Sequence, residues 1–350
     1  MSVHLHRDFL PEQDPVKGKV VLITGGTGSF GRRMVRTLLT QYAPRKIIIL
    51  SRDELKQYEM RCDMEEQFDA AQMAKMRFFL GDVRDRNRLL MAFRGVDIVI
   101  HAAALKQVPA AEYNPSECIA TNINGAENVV AASFATRVQR VVALSTDKAC
   151  SPINLYGATK LASDKIFVAA NNMSGDLGTR FCVVRYGNVV GSRGSVVPYF
   201  RRLLTQGATE LPITDPRMTR FWISLDQGVA FVLSCMELTQ GGEIFVPKIP
   251  ATTVTDLATA MAPTATQKVI GIRPGEKLHE MMISADDARS TYELDDRYVI
   301  EPEFAEYGRV SLKDVATARP VGEGFCYASD NNTERLDAQG IRDMMQAYSE

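Results

Sequence analysis

Several things are scarce in this 350-residue chain, and each absence removes a class of function. No apolar run approaches the length needed to cross a bilayer, so a membrane protein is not expected. Residues 1–17 carry charges and two prolines around no apolar centre, which is not the make-up of a secretory signal. They read as a frayed N-terminal extension. The formal net charge is -1, so no global field invites nucleic acid or an anionic membrane, and any grip on phosphate must come from local arginines and lysines. The six cysteines (62, 118, 150, 182, 235 and 326) are scattered, with no C-x-x-C among them. That argues against a disulfide framework or a metal centre and fits reduced thiols in a cytoplasm. His279-Glu280 lacks the second histidine of H-E-x-x-H, so no metal site is expected there.

What is present is a rhythm of short β-branched runs and amphipathic stretches. Val20–Ile23, Lys46–Leu50, Arg77–Leu80, Val96–Ile100, Arg140–Leu144 and Phe181–Arg185 read as strands, and Arg32–Gln41 and Asp53–Phe68 as helices. Continuous apolar strands alternating with helices predict an α/β fold, a doubly wound parallel sheet covered on both faces. After Gly187 turn signals and prolines break the rhythm. Phe221–Leu238 and Glu243–Val246 read as a return to the sheet. The expected division is therefore a dinucleotide-binding Rossmann domain over 18–190 and 221–248. A smaller C-terminal substrate lobe is expected over 191–220 and 249–335.

Thr24-Gly25-Gly26-Thr27-Gly28-Ser29-Phe30-Gly31 follows the first strand and opens the first helix. Gly25 suits a tight turn, Gly28 the approach of backbone to a pyrophosphate, and Gly31 close helix–strand contact. The helix N-terminus offers amides and a favourable dipole. Thr27, Ser29 and Phe30 belong to the same cradle. Ser51, Arg52 and Lys56 lie at the end of the second strand, where an acidic residue would take a ribose 2′-hydroxyl. Here the arginine comes first, so a 2′-phosphate and NADP are expected, with Asp53 capping the helix as the simpler reading. Asp82, Val83 and Ala102, at the ends of the third and fourth strands, are the remaining cofactor candidates. His101 reads as a packed histidine.

Tyr156 and Lys160 stand at i and i+4 of a helix, so they share a face. A nearby ammonium and a cationic cofactor ring lower a tyrosine pKa, letting the phenolate accept an alcohol proton. Thr146 occupies the position of a hydroxyl that bonds the reacting oxygen. Asp147 and Lys148 add an acid and an amine at a strand end, where ligands bind. Oxidation of an alcohol acidifies the adjoining C–H, so this pair predicts loss of water after the oxidation. Epimerisation at the oxidised carbon would use the same glycine loop and Tyr156/Lys160 but needs no such pair. A catalytically silent dinucleotide sensor is the remaining alternative.

At this point the chain resembles the extended short-chain dehydrogenase/reductases, over residues 18–330. More narrowly it is similar to inverting UDP-N-acetylglucosamine 4,6-dehydratases of pseudaminic acid synthesis. The likeness lies in residues 24–31, 51–56, 144–149, 152–160, 185–195 (Arg-Tyr-Gly-Asn-Val-Val-Gly-Ser-Arg-Gly-Ser) and 273–280 (Arg-Pro-Gly-Glu-Lys-Leu-His-Glu). The resemblance implies recycled NADP, a UDP-N-acetylglucosamine substrate and a homo-oligomer, a dimer or a dimer-based hexamer, and it makes a UDP-N-acetylhexosamine 4-epimerase the rival reading. It implies that Asn188 touches substrate and Val189 lies beside the nicotinamide. Lys106 is a candidate for the sugar, and Arg193, Val197 and Arg273 for the UDP, where guanidinium forks suit a diphosphate.

Overall fold

The computed structural model describes residues 7–192, 194–304, 309–314 and 317–346. The strands, in chain order, are β1 (Val20–Thr24), β2 (Lys46–Ser51), β3 (Met76–Leu80), β4 (Ile98–His101), β5 (Arg140–Leu144), β6 (Arg180–Val184), β7 (Asn188–Val189), β8 (Glu210–Ile213) and β9 (Thr219–Ile223). They continue with β10 (Ile244–Pro247), β11 (Ala251–Thr253), β12 (Thr266–Val269), β13 (Met281–Ile283), β14 (Thr291–Glu293), β15 (Arg297–Ile300), β16 (Arg319–Pro320) and β17 (Tyr327–Ala328).

The main sheet has ten strands in the order β16-β14-β15-β10-β6-β5-β4-β1-β2-β3. From β3 to β10 neighbouring strands run parallel. The chain order reverses between β1 and β4, and ligands bind at the carboxyl ends of strands beside such a switch point. Val21, Leu22 and Ile23 of β1 are sealed from solvent, as are Ile47 and Ile49 of β2. Burial on both faces is why these strands read as unbroken apolar runs rather than alternating ones.

Three features depart from the sequence reading. First, β9, the strand that opens 221–248, joins a separate three-stranded sheet with β7 and β11; only β10 returns to the main sheet. Second, β14, β15 and β16, within the span assigned to the lobe, extend the main sheet as an antiparallel edge. Third, the stretch 7–17 is packed rather than frayed. Phe9 and Val16 are buried, Phe9 meets Phe231 edge-on at 5.1 Å, and Arg7 makes a two-pronged pair with Glu334 at 2.6 and 2.7 Å. Its charges hid two apolar anchors spaced too irregularly to show a period. Residues 1–6 lie outside the described residues.

The smaller layer beyond the strand ends has its own cores. One gathers Val190, Val197, Trp222, Leu257 and Ile341, and another Phe200, Leu211, Ile213 and Met218. Among the described residues no helix is long and apolar enough to cross a membrane.

Candidate active site

A cleft of about 1230 Å³ runs along the carboxyl ends of β1, β2, β4 and β5, roofed by the smaller layer. At one end lies the glycine loop. Gly25 has φ +66°, and a Cβ on it would stand 2.9 Å from the Ala103 backbone, so a side chain is excluded by conformation and by space. A Cβ on Gly31 would run into the Gly26 backbone, so the close contact at this glycine is between the helix and the loop rather than between the helix and the strand. The helix Ser29–Gln41 starts from Gly28 without a side-chain cap, so no side chain of the cap residue competes for its first amides. Thr27, Gly28, Ser29 and Phe30 line the cleft beside them.

Ser51, Arg52 and Lys56 also line this end. Asp53 caps the following helix by accepting from the Lys56 amide, and Lys56 folds back to it with Nζ at 2.6 Å. Arg52 is half exposed and 3.6 Å from Asp82, whose carboxylate is held mainly by Arg84 at 2.7 Å. Asp82, Val83 and Ala102 complete the wall. A glycine cradle, an uncapped helix start and a cation-bearing second strand end together fit a dinucleotide. His101 is a packing residue: it is buried, bonded to Thr24 Oγ1 at 2.8 Å, and burial drops its pKa to about 3, with Lys160 adding to the drop.

The other end of the cleft follows β5. Ser145 Oγ donates to Asp164 at 2.8 Å, tying the strand end to the helix Leu155–Ala170. Thr146 then caps a single 3₁₀ turn, Asp147–Ala149. Asn154 caps the long helix, accepting from the Gly157 amide at 2.8 Å, and donates to the Gly275 carbonyl at 2.7 Å. The cap sets Tyr156 in the first helical turn, and the second bond attaches the 273–276 loop to that turn. A Cβ on Gly157 would collide with the Lys148 carbonyl, so the turn and the helix start lie in backbone contact. That contact brings Tyr156 and Lys148 into one site.

Tyr156 and Lys160 both face the cleft, as their spacing required. Lys160 Nζ donates to the Leu144 carbonyl at 2.7 Å, and burial lowers its pKa against the pull of Asp164. Burial pushes Tyr156 up to about 12, and the Lys148 ammonium opposes that rise.

Lys148 reaches Asp147 Oδ1 at 3.0 Å and Glu280 Oε1 at 3.0 Å. Burial disfavours its charge, but the two carboxylates outweigh burial and raise its pKa, so the resting amine is an ammonium. Asp147 is wholly buried beneath the cleft wall; its Oδ1 also accepts from Thr146 Oγ1 at 2.9 Å, while Oδ2 has no hydrogen-bond partner among the described residues. Glu280 was the residue the sequence reading dismissed along with the zinc motif. Its signal was the run at 273–280, from which only Arg273 was taken. Arg220 is buried on the cleft wall, donating to the carbonyls of Thr219, Leu278 and Lys277. Its Nε stands 3.8 Å from Glu280.

Lys106, Asn188, Val189 and Arg273 all line the cleft, and burial lowers the pKa of Lys106. Val197 does not: it is fully buried in the lobe core with Val190 and Trp222. On the helix Val196–Thr205 the neighbouring positions Val196, Pro198 and Tyr199 face the cleft instead. Arg193 lies outside the described residues.

With this geometry in view, the relatives separate by degree. A family described as polysaccharide biosynthesis protein matches residues 21–302. The chain belongs to that family. A Campylobacter jejuni protein named UDP-N-acetylglucosamine 4,6-dehydratase (inverting) is 57% identical over 332 residues, covering 94% of this chain and 97% of that one. A Rickettsia canadensis protein named UDP-glucose 4-epimerase is 40% identical over 339 residues, covering 93% and 95%. Among solved structures, Pen from Bacillus thuringiensis superposes with a TM-score of 0.84 at 33% identity, covering 95% of this chain and 99% of that one.

Proposed function

We propose that this protein is an NADP-dependent hydro-lyase, a UDP-N-acetylglucosamine 4,6-dehydratase that inverts C5. The observation that carries the reading is Lys148, in the same cleft as Tyr156 and Lys160, joined to Glu280 on the cleft wall and to Asp147 buried behind it. The Campylobacter relative supports the substrate and the inversion. The epimerase relative supports the same oxidising half; a C4 epimerase needs no acid or base at C5 and C6, which Asp147 and Lys148 supply here.

A nicotinamide dinucleotide bound here would supply the hydride acceptor for C4 and the hydride donor for C6. Gly25, Thr27, Gly28, Ser29, Phe30 and Gly31 would hold its pyrophosphate side, Asp82, Val83 and Ala102 its adenosine side, and Val189 its reactive end. Ser51, Arg52 and Lys56 take the 2′-phosphate; Arg52 is half exposed and Lys56 need only leave a solvent-exposed partner. Lys106 and Asn188 hold the sugar and Arg273 the diphosphate.

Tyr156, with Thr146 beside it, accepts the C4 hydroxyl proton. Lys160 fixes the tyrosine's setting through its anchor on Leu144. The ketone then acidifies C5–H, and Lys148 removes that proton while Asp147 protonates the departing C6 hydroxyl. Lys148 afterwards returns a proton to the opposite face of C5. Both groups must exchange a proton beforehand, because the resting pair is an ammonium beside a carboxylate. One transfer over the 3.0 Å from Lys148 to Asp147 yields a neutral base and a protonated acid together.

The test is mass spectrometry of the purified protein incubated with UDP-N-acetylglucosamine in deuterated water. The expected product is one water lighter, carries deuterium at C5 and is inverted there. An isomer of unchanged composition differing only at C4 would assign the protein to the epimerases.

A further inference from the structure

Glu280 has no place in the chemistry set out so far, yet it touches the proposed base as closely as Asp147 does. It sits one residue before β13, its backbone locked by two bonds to Ser329, at 2.9 and 2.7 Å. Its side chain is 2% exposed and forms part of the cleft wall. Oε1 takes the Lys148 ammonium at 3.0 Å, and Oε2 has no hydrogen-bond partner among the described residues. A carboxylate buried only to neutralise a cation normally has both oxygens satisfied, since each lone buried acceptor is costly. What singles out Glu280 is its position: its other oxygen meets the Lys148 ammonium at 3.0 Å inside the cleft wall.

The charges facing Lys148 come from three segments. Asp147 is on its own turn, Glu280 precedes β13, and Arg220 is on β9, 3.8 Å from Glu280. Tyr156, on the long helix, is also close enough for its pKa to feel Lys148. Suppose Lys148 has passed its proton to Asp147, as the dehydratase reading requires. The amine then stands beside one remaining carboxylate, Glu280. When the amine takes the C5 proton it becomes an ammonium again, and Glu280 is the fixed counter-charge awaiting it. In a buried site such a counter-charge raises the basicity of the amine.

We infer that Glu280 is a positioning residue for the eliminating base: its carboxylate orients Lys148 and raises its basicity at the moment C5–H is broken. The inference rests on the dehydratase reading. The step balances. Lys148-NH3+ and Asp147-COO− become Lys148-NH2 and Asp147-COOH. The C5–H bond breaks toward the amine, its electron pair forms the C5–C6 double bond, and the C6–O bond breaks. Asp147 gives its proton to the leaving hydroxyl, which departs as water. Lys148 and Asp147 end in their original charge states, and Glu280 stays a carboxylate throughout.

The consequence is a change in pH dependence that a purely structural residue would not produce. The acidic limb of kcat reports a second proton entering the Asp147–Lys148–Glu280 group, which blocks the base. Glu280→Gln removes one negative charge, so that proton is bound less readily and the limb moves to lower pH. The plateau falls as well, about 10- to 100-fold, because the amine is a weaker base. KM for UDP-N-acetylglucosamine and the melting temperature stay near those of the parent.

The experiment is a kcat–pH profile of the dinucleotide-loaded protein, as parent, Glu280→Gln and Glu280→Asp, scored by formation of the 4-keto-6-deoxy sugar. Glu280→Asp keeps the charge, and its limb should stay at the parental position while its plateau drops. A lower plateau with the limb displaced only in Glu280→Gln supports the inference. An unchanged profile, a plateau loss with no displacement in Glu280→Gln, or a displaced limb in Glu280→Asp overturns it. If Glu280→Gln does not fold, the Glu280→Asp limb alone decides. If the parent itself forms no keto sugar, the dehydratase reading fails instead, and the two failures are told apart.

Discussion

At the β1–β2 end of the cleft the binding surface is mostly main chain: a left-handed glycine, a helix start without a side-chain cap, and small residues pressed against them. At the β5 end it is mostly side chain, drawn from a 3₁₀ turn, a helix start, β9 and the approach to β13. A main-chain cradle binds whatever carries phosphate in the right place and tolerates variation around it. A side-chain cluster held by contacts between distant segments fixes protonation states, and one displaced atom changes its chemistry. On the proposed reading, the first end sets what is held and the second what happens to it.

The largest expected effect separates the two ends. Lys148→Ala should lower the rate of water loss by about 10²–10⁴-fold, the range for a lost acid–base group, while leaving dinucleotide affinity unchanged by calorimetric titration. Near-normal dehydration would remove Lys148 as the base. Gly157→Ala attacks the same end through the backbone. Its Cβ would displace the Lys148 carbonyl, and shifts of this size in positioned groups cost up to about 10²-fold. Steady-state assays should show the loss in kcat with the dinucleotide still bound.

Much of the first end was legible in the sequence because main-chain geometry is written locally. Gly25 and Gly31 are required by conformation and contact within one strand–loop–helix unit, so their spacing suffices. Tyr156 and Lys160 were legible for the same reason, sharing a helix face four residues apart. Glu280 was not, since its proximity to Lys148 depends on how the smaller layer closes over the sheet, and no local period records that. Val197 erred in the other direction. It was read as a UDP contact, but the helix rotation that directs Val196 and Tyr199 to the cleft buries it with Trp222. The N-terminal stretch misled because Phe9 and Val16 are isolated anchors in a charged segment.

The smaller predictions sharpen the first end. Gly31→Ala forces a side chain into the Gly26 backbone and should cost about 1–3 kcal/mol of stability, the usual penalty for overpacking, read as a lower midpoint in urea unfolding. Arg52→Ala should weaken NADP about tenfold, the loss of one charge-assisted contact, and leave NAD affinity nearly unchanged in parallel titrations. Equal losses for both dinucleotides would take the 2′-phosphate away from Arg52.

The most direct test of two ends with separable tasks is rapid-mixing absorbance of dinucleotide-loaded Lys148→Ala with UDP-N-acetylglucosamine. Oxidation at C4 should proceed and elimination stall, so reduced nicotinamide builds up and persists while no 4-keto-6-deoxy sugar forms. Keto-sugar formation at the parental rate, or no reduced nicotinamide at all, would contradict the account.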